Sequence, residues 1–162
     1  QQKPVAGLVG SYAGAMGYGQ FIPSSYRAYA VDFNDDAFID IWNEPVDAIA
    51  SIANYLAVHG WQKNGPILAP MTSKAALPIE FFNQQLKPAL TAQELIDAGV
   101  ALDETLLDWP GLKAAPLHYE GKAGAETWLG FQNFYAITRY NRSRLYAMAV
   151  FQLSERLKAA AL

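Results

Sequence analysis

The sequence predicts a mainly helical α+β protein in which a small mixed segment interrupts a helical core. Apolar residues recur at helical spacing in two separated parts of the chain, residues 45–59 and residues 131–162. Between them, residues 62–130 contain six prolines that divide short apolar runs, a pattern typical of small strands and turns. We therefore expect a first core part at 1–61, an inserted β subdomain at 62–130, and the last core part at 131–162.

The first region contains two predicted helices. A short helix is expected from Pro23 to about Ala30, because proline is favoured in the first turn of a helix. A longer helix is expected from Pro45 to His59, with Gly60 at the position of a C-terminal cap. Its helical spacing comes from the apolar residues Val46, Ile49, Ile52, Ala53 and Leu56.

Two further helices are predicted in the later regions. In the segment TAQELIDAG, residues 91–99, Thr91 and Glu94 have the spacing of a capping box, and Gly99 marks the end of the helix. The last region carries an apolar stripe at helical spacing, and we expect this stripe to pack against another part of the protein. The stripe consists of Leu145 or Tyr146, Val150, Leu153 and Leu157.

Composition excludes several classes of protein. Hydrophobic residues make up 52% of the chain and charged residues 17%, which is typical of a globular protein and not of a disordered one. The net charge of −3 and the lack of a basic stripe argue against a nucleic-acid partner. Without cysteine the chain has no disulfides and no zinc–thiolate site.

The opening QQKPVAGLVG has no initiator methionine and no charged leader, so we expect a piece of a longer precursor.

The stretch SYAGAMGYGQFIPSSY, residues 11–26, combines glycines and tyrosines in one apolar run. The spacing of Gly14, Gly17 and Gly19 fits neither a dinucleotide fingerprint nor a phosphate loop. Glycine permits positive φ and lets a bulky ligand approach the backbone closely. The stretch therefore has the character of a sugar-cleft wall, with aromatic rings to stack on pyranoses. A tight packing loop with core tyrosines is the alternative.

Three motifs resemble those of the B-type lytic murein transglycosylases of family 3. They are GSYAGAMGYGQFIPSSY, PVDAIASIANYLAVHGW and FYAITRYNRSRLYAMAV, which occur in this order between about Val9 and Leu153. The resemblance implies a goose-lysozyme-like α-helical core with residues 62–130 as an inserted β subdomain. It also implies an enzyme of the bacterial periplasm that cleaves peptidoglycan. Two forms of the precursor stay open: a soluble protein, and a protein anchored to the outer membrane through an N-terminal lipid outside this chain.

The implied reaction cuts the β-1,4 bond between N-acetylmuramic acid and N-acetylglucosamine and leaves a 1,6-anhydromuramoyl end. One glutamate protonates the leaving oxygen and then removes the proton of the C6 hydroxyl, and no organic cofactor is needed. In the family this glutamate lies upstream of the AGAMGYGQF motif, so no catalytic residue is expected in this chain. The glutamates that are present do not follow the family pattern. They are Glu44, Glu80, Glu94, Glu104, Glu120, Glu126 and Glu155.

The resemblance implies that six residues bind the substrate. Ser11 matches the serine beside the catalytic carboxylate, and Gln20 matches the glutamine that bonds the sugars near the cleavage point. The remaining matches are Tyr55, Tyr140, Asn141 and Tyr146.

The residues alone leave simpler roles open for three of these matches. Asn141 has the residue type of an N-cap for the final helix, with Ser143 as a rival cap. Tyr55 and Tyr146 lie at helical positions that are usually core.

The loop DFNDDAFIDIWN, residues 32–43, has the spacing of an EF-hand calcium loop. Asp32, Asn34 and Asp36 stand at positions 1, 3 and 5, Phe38 offers its carbonyl oxygen at position 7, and Asp40 stands at position 9. The sequence thus predicts a structural Ca²⁺ site, and a solvated acidic loop is the alternative.

Two positions of this loop depart from the EF-hand pattern. Ala37 replaces the glycine of position 6, and Asn43 replaces the glutamate of position 12. The resemblance implies that Asp47 closes the site, whereas a carboxylate at this position also favours the N-terminus of the following helix.

The expected partners are peptidoglycan glycan strands, the upstream part of the same protein, and other cell-wall proteins. Two other functions fit the same residues: a non-catalytic peptidoglycan-binding or scaffolding module, and a calcium-stabilised interaction domain. An upstream helix that carries the catalytic glutamate would favour the enzyme over a binding module.

Overall fold

The structure is a computed structural model that describes residues 9–122 and 124–161. Within these residues the chain forms six α-helices and a small antiparallel sheet, which confirms the predicted mainly helical fold class. Two compact units are present, and the boundary between them lies between His59 and Gly60. The helices are α1 Pro23–Tyr29, α2 Pro45–Val58, α3 Ala92–Asp97, α4 Glu104–Leu107, α5 Gln132–Tyr140 and α6 Arg144–Ala160.

The two helices of the first unit begin and end within one residue of their predicted limits. Pro23 and Pro45 each occupy the first turn, where the missing amide hydrogen costs no helical hydrogen bond. The Glu44 side chain caps α2 by accepting a hydrogen bond from the backbone amide of Val46. Gly60 follows α2 with a φ of 85°, a left-handed conformation that glycine adopts without strain.

The buried face of α2 is polar in part and differs from its most apolar face. Its buried residues include Asp47 and Ser51, whereas Ile49 is 68% exposed. Both polar side chains accept hydrogen bonds from the loop that precedes the helix. The Ser51 hydroxyl accepts from the amide of Val31 at 3.0 Å, and the Asp47 carboxylate accepts from the amide of Phe33 at 2.9 Å. The helical spacing therefore predicts the helix correctly, while hydrogen bonding to the preceding loop decides which face is buried.

All strands of the second unit that the structure describes lie between residues 68 and 130. Four of them form an antiparallel sheet in the order β1-β6-β5-β3, and β2 pairs with β4 in a separate two-stranded ladder. A 3₁₀ helix, Ile79–Phe81, precedes β3. The role of 62–130 as an insert within one core stays a prediction. The strands are β1 Leu68–Pro70, β2 Thr72–Ser73, β3 Leu90–Thr91, β4 Val100–Ala101, β5 Lys113–Gly121 and β6 Gly124–Gly130.

The predicted helix α3 anchors the core of the second unit. The Thr91 hydroxyl accepts from the Glu94 amide, and the Glu94 carboxylate accepts from the Thr91 amide at 2.8 Å, so the capping box is confirmed. The Thr91 amide and the Thr91 hydroxyl both donate to the Glu94 carboxylate, and these two hydrogen bonds hold the pKa of Glu94 below its usual range. Leu95 packs in a buried cluster. The cluster consists of Met71, Phe82, Leu95, Val100, Leu112, Ala114, Leu129 and Phe131.

A buried asparagine fixes the start of α5. Asn133 accepts a hydrogen bond from the Gln62 amide at 2.7 Å and donates to the carbonyl oxygens of Gln62 and Gly65 at 2.8 and 2.9 Å. All hydrogen-bonding groups at this buried position are thus paired, as polar burial requires. The Asn133 side chain thus holds the loop before β1 on α5.

The apolar stripe of α6 lies mostly on its exposed face. Leu145, Leu153 and Leu157 are 66%, 58% and 62% exposed, while the buried residues of the helix are Ala147 and Met148. The prediction that this stripe packs is therefore wrong for the residues that the structure describes. Helix α6 contacts α5, and its small Ala147 is fully buried. Tertiary contacts, and not the apolar spacing, therefore decide which face of α6 is buried.

Candidate functional site

The glycine-rich stretch folds into a tight hairpin that presents Gln20. Met16 and Phe21 pair through two backbone hydrogen bonds of 2.9 and 3.0 Å, which close a turn of four residues. Gln20 lies in this turn with a φ of 49°, and its side chain is exposed. Its Nε2 donates to the carbonyl oxygen of Gly17 at 3.0 Å, which orients the amide.

Close contact between two backbones explains the glycine at position 17. The amide of Tyr18 donates to the carbonyl oxygen of Ile41 at 2.9 Å. A Cβ atom at Gly17 would overlap this carbonyl oxygen and would lie 2.9 Å from both the carbonyl carbon and Cγ1 of Ile41. Gly17 also has a φ of 65°, so both the space and the backbone conformation favour glycine.

The tyrosines of this stretch are not a common core. Tyr12 and Tyr18 are exposed, so the packing-loop alternative is wrong for these two rings. Tyr26 is half-buried and donates its hydroxyl to the carbonyl oxygen of Ile39 at 3.0 Å. Phe21, in contrast, is buried. The stretch 11–26 therefore combines a buried Phe21 with the exposed rings of Tyr12 and Tyr18.

The other two candidates of the first unit have structural partners. The exposed Ser11 hydroxyl accepts a hydrogen bond from the Ala15 amide at 3.1 Å. Tyr55 is buried; its ring stacks on His59 with centroids 4.0 Å apart and contacts Phe21 at 6.0 Å. Phe21 thus brings the hairpin and Tyr55 together. Sugar-binding roles for Ser11 and Tyr55 stay predictions.

The three candidates of the second unit gather at the turn between α5 and α6. Tyr140 ends α5, Asn141 follows it, and Tyr146 lies in the first turn of α6 with 37% of its surface exposed. The Ser143 hydroxyl caps α6 by accepting from the Tyr146 amide at 3.2 Å. The alternative in which Asn141 caps α6 is therefore wrong, and so is a core position for Tyr146.

The side chain of Asn141 remains available for a ligand. It is exposed, and its amide group makes no hydrogen bond within residues 9–122 and 124–161. An amide offers both a donor and an acceptor, which is what sugar hydroxyl and acetamide groups need. The structure thus places two exposed amide side chains, Gln20 and Asn141, one in each unit.

The first three candidate ligands of the acidic loop accept hydrogen bonds from backbone amides of the same loop. Asp32 accepts from the Ala37 amide and Asp36 from the Phe38 amide, both at 2.8 Å, while Asn34 accepts from the Asp36 amide at 3.3 Å. Ala37 has a φ of 68°, so the backbone at position 6 is left-handed although the residue is alanine. A residue with a Cβ atom adopts this left-handed conformation at some energetic cost.

Asp47 closes this loop from the first turn of α2. Its side chain is fully buried, and its two oxygens accept from the amides of Phe33 and Asp40, each at 2.9 Å. Asp40 in turn accepts from the amides of Trp42 and Asn43, so it caps a turn. Each Asp47 oxygen accepts one of its two hydrogen bonds and keeps a second acceptor position, of the kind that a hard cation uses.

The donor types and their order fit calcium. Carboxylate, amide and carbonyl oxygens at alternate positions are ligands that Ca²⁺ prefers. Within the described part of the chain, however, no three His, Cys, Asp or Glu side chains converge as a metal cluster. The loop therefore has the chemistry of a calcium site, with its side chains bonded to the backbone of the loop.

None of the seven glutamates is buried. A carboxyl group that must stay protonated near neutral pH needs an apolar site that raises its pKa. Six of the seven glutamates are exposed. The other, Glu44, caps α2, and the pKa of Glu94 is shifted in the opposite direction.

The helical scaffold with its small antiparallel sheet places the chain in the lysozyme-like fold class. The chain belongs to the transglycosylase SLT domain family, whose sequence profile matches residues 1–155. This match confirms the family resemblance of the three motifs.

Relatives of known name agree with this assignment. Membrane-bound lytic murein transglycosylase B of Escherichia coli K12 is 43% identical over 161 residues, which cover 99% of this chain and 42% of the relative. Soluble lytic transglycosylase SltB1 of Pseudomonas aeruginosa, solved in a catenated form, is 42% identical with a TM-score of 0.89 and covers 99% of this chain and 52% of its own.

Two further solved structures contain ligands. Slt35 of Escherichia coli in complex with calcium is 43% identical with a TM-score of 0.78, covering 94% of this chain and 47% of its own. SltB3 of Pseudomonas aeruginosa in complex with NAG-NAM-pentapeptide is 36% identical with a TM-score of 0.77. The match covers 96% of this chain and 42% of the SltB3 chain. The chain thus spans about half the length of the relatives it matches or less. Within its described residues, no helix has the length and apolarity to cross a membrane.

Sequence reasoning did not single out Arg142 and Arg144. Both line a cavity beside the α5–α6 turn, together with residues of a loop almost 60 positions earlier. The available signal was local: two arginines flank Ser143, which caps a helix with no acidic residue in its first turn.

Proposed function

We propose that the protein containing this chain is a periplasmic lytic transglycosylase. It cleaves the β-1,4 bond between N-acetylmuramic acid and N-acetylglucosamine in peptidoglycan and forms a 1,6-anhydromuramoyl product. The observation that carries this proposal is the family match over residues 1–155, supported by relatives that are named for this activity. The substrate class is a glycan strand that bears peptides, as in the ligand of SltB3.

Amide and aromatic side chains supply the sugar contacts in this proposal. Gln20 and Asn141 bond hydroxyl and acetamide groups, and Tyr140 and Tyr146 offer ring faces for pyranoses. Support comes from the exposure of Gln20, Asn141 and Tyr146 and from the free amide of Asn141. Ser11 and Tyr55 have internal partners, so they position neighbouring groups: Ser11 the turn before the hairpin, and Tyr55 the buried Phe21.

The general acid of this reaction comes from a segment outside this sequence. A single carboxylic acid gives its proton to the glycosidic oxygen as the C1–O bond breaks. It then takes the proton of the C6 hydroxyl as the new C1–O6 bond forms. The exposure of six glutamates and the capping role of Glu44 support this assignment, because a general acid of this kind needs a buried apolar site.

Release of product from purified sacculi tests the assignment of the acid. The 162-residue chain should release no 1,6-anhydromuropeptides detectable by mass spectrometry, whereas the full-length protein should release them. Replacing the upstream glutamate by glutamine should abolish release. Product formed by the 162-residue chain would contradict the assignment, and Glu44→Gln would then be the first variant to measure. Binding without release by the full-length protein would instead indicate a non-catalytic peptidoglycan-binding module.

Binding of chitooligosaccharides by calorimetry tests the sugar contacts. Gln20→Ala and Asn141→Ala should each weaken binding about tenfold, because each removes hydrogen bonds to the ligand. Gln152→Ala on the exposed face of α6 is the matched control and should bind normally. A variant that lowers the free energy of unfolding by more than about 2 kcal/mol would show that its side chain holds the fold instead.

We also propose that the 32–43 loop with Asp47 holds a structural calcium ion. Asp32, Asn34, Asp36, Asp47 and the carbonyl oxygen of Phe38 are its proposed ligands. Two observations support this proposal. Asp32 and Asp36 accept hydrogen bonds from amides within the loop, and the related Slt35 was solved in complex with calcium. The bound ion would fix the loop on α2 and take no part in the reaction.

Thermal unfolding with and without calcium tests the metal site. Saturating calcium should raise the Tm of the protein, by the equivalent of about 2.7 kcal/mol at one hundred times the dissociation constant. Asp36→Ala should remove this increase and change little in chelator, while Asp108→Ala, an exposed control in the second unit, should keep it. Equal melting with and without calcium, together with no heat in calorimetry, would exclude the site.

A further inference from the structure

A cavity of about 430 Å³ opens between the α5–α6 turn and the loop that precedes β3. Its lining residues include Arg142, Arg144, Gln84 and Gln85, and no acidic residue lines it. It lies directly beside Asn141, one of the proposed sugar contacts. The cavity is therefore positively charged and able to form several hydrogen bonds in a protein whose net charge is −3.

The two arginines are not explained by the stability of the fold. Within residues 9–122 and 124–161, neither forms an ion pair with an acidic side chain. Arg144 is the first residue of the 17-residue helix α6, whose first turn contains no acidic residue. A cation there opposes the helix dipole, which favours negative charge at the N-terminus. Positive charge at this place favours an anionic ligand.

Both walls of the cavity are held in place by β5. The Tyr119 hydroxyl donates to the carbonyl oxygen of Arg144 at 3.2 Å. On the other wall, Asn83 forms two hydrogen bonds of 3.1 Å with the backbone of His118. Gln84 donates to the carbonyl oxygen of Glu80, so its amide is also oriented. A preorganised cavity loses little conformational entropy when a ligand binds.

We propose that this cavity binds a carboxylate of the peptide carried by the muramoyl residues of the glycan. The inference rests on the proposed function, in which the neighbouring Asn141 contacts the sugar chain. The planar guanidinium groups of Arg142 and Arg144 match a carboxylate with paired hydrogen bonds, and Gln85 serves the peptide groups beside it. The chain thereby distinguishes peptide-bearing glycan from bare glycan.

Three probes and two variants test this site. The probes are a NAG-NAM oligosaccharide, the same oligosaccharide with its pentapeptide, and the free pentapeptide. The Arg142→Gln/Arg144→Gln double variant removes both charges, and Arg156→Gln is a control on the same helix, about 18 Å from Arg144 along its axis. Far-UV circular dichroism checks that each variant is folded, as expected for exposed side chains.

The wild-type chain should bind the peptide-bearing oligosaccharide about tenfold more tightly than the bare one. The double variant should lose this difference and keep its affinity for the bare oligosaccharide, whereas Arg156→Gln should keep the difference. Higher salt should reduce the difference, because the arginines are exposed. Equal wild-type affinities for the two oligosaccharides would overturn the inference while leaving the proposed function intact. A peptide preference that persists in the double variant would also overturn it.

The free pentapeptide separates this inference from the proposed function. If the bare oligosaccharide does not bind, the proposed sugar contacts fail, and the arginine Nε–H resonances in NMR decide the inference alone. Shifts at Arg142 and Arg144 on adding the peptide, without a shift at Arg156, would support a carboxylate site. Unchanged resonances at Arg142 and Arg144 would overturn it.

Discussion

The backbone contact at Gly17 makes a sharp prediction about the hairpin that carries Gln20. Gly17→Ala should destabilise the first unit, because the new methyl group overlaps the carbonyl group of Ile41. Gly14→Ala is the matched control in the same stretch. Its φ is also positive, at 76°, but its Cβ atom would meet only Pro23, at an ordinary contact distance of 3.5 Å.

The size of the effect follows from these contacts. A left-handed conformation costs alanine about 1–2 kcal/mol, and the lower entropy of the unfolded chain offsets about 0.4–1 kcal/mol of it. Gly14→Ala should therefore cost about 1 kcal/mol. Gly17→Ala should also disrupt the hydrogen bond from Tyr18 to Ile41, worth about 1 kcal/mol, and force the buried Ile41 to shift, at a cost of at least about 1 kcal/mol. Its total should reach about 3 kcal/mol.

Urea unfolding followed by circular dichroism measures both free energies, and the two units require a test for separate transitions. Amide hydrogen exchange at Tyr18 provides a local measurement, because its protection depends on the hydrogen bond to Ile41. Equal losses of stability in Gly17→Ala and Gly14→Ala, with Tyr18 still protected, would refute the backbone contact. Weaker glycan binding by Gly17→Ala is expected as well, since the hairpin positions Gln20.

Three other substitutions test buried hydrogen bonds. Asp47→Asn replaces an acceptor oxygen by a donor that faces a backbone amide. Urea unfolding in chelator should therefore show a free energy of unfolding lower by about 2–3 kcal/mol. An unchanged urea midpoint would contradict this role. Asn133→Ala leaves the backbone groups of Gln62 and Gly65 unpaired and should cost a similar amount, with faster proteolysis in the 62–65 loop as a second measurement. Burial raises the pKa of Tyr119 to about 12, so the phenol ionises first in the unfolded state. The wild type should therefore lose about 2 kcal/mol as the pH rises from about 10 to 12, and Tyr119→Phe should show a smaller loss over that range.

The sequence by itself determined where three of the six described helices begin and end. Pro45 and Gly60 bracket α2, and the Thr91–Glu94 capping box starts α3, because these signals act between residues a few positions apart. The family was equally accessible, since its motifs are local strings of residues. The exposed amides Gln20 and Asn141 were also predicted from such strings, and their sugar contacts await the binding measurements above.

Only the tertiary structure decided which faces are buried and which distant groups meet. The helical spacing of α2 did not reveal that Asp47 is buried beneath the acidic loop, and that of α6 did not reveal that Leu153 and Leu157 are exposed. The cavity at Arg142 and Arg144 requires a loop almost 60 residues earlier in the chain. Burial and cavities depend on which elements pack together, and a periodic pattern within one element carries no information about its partner.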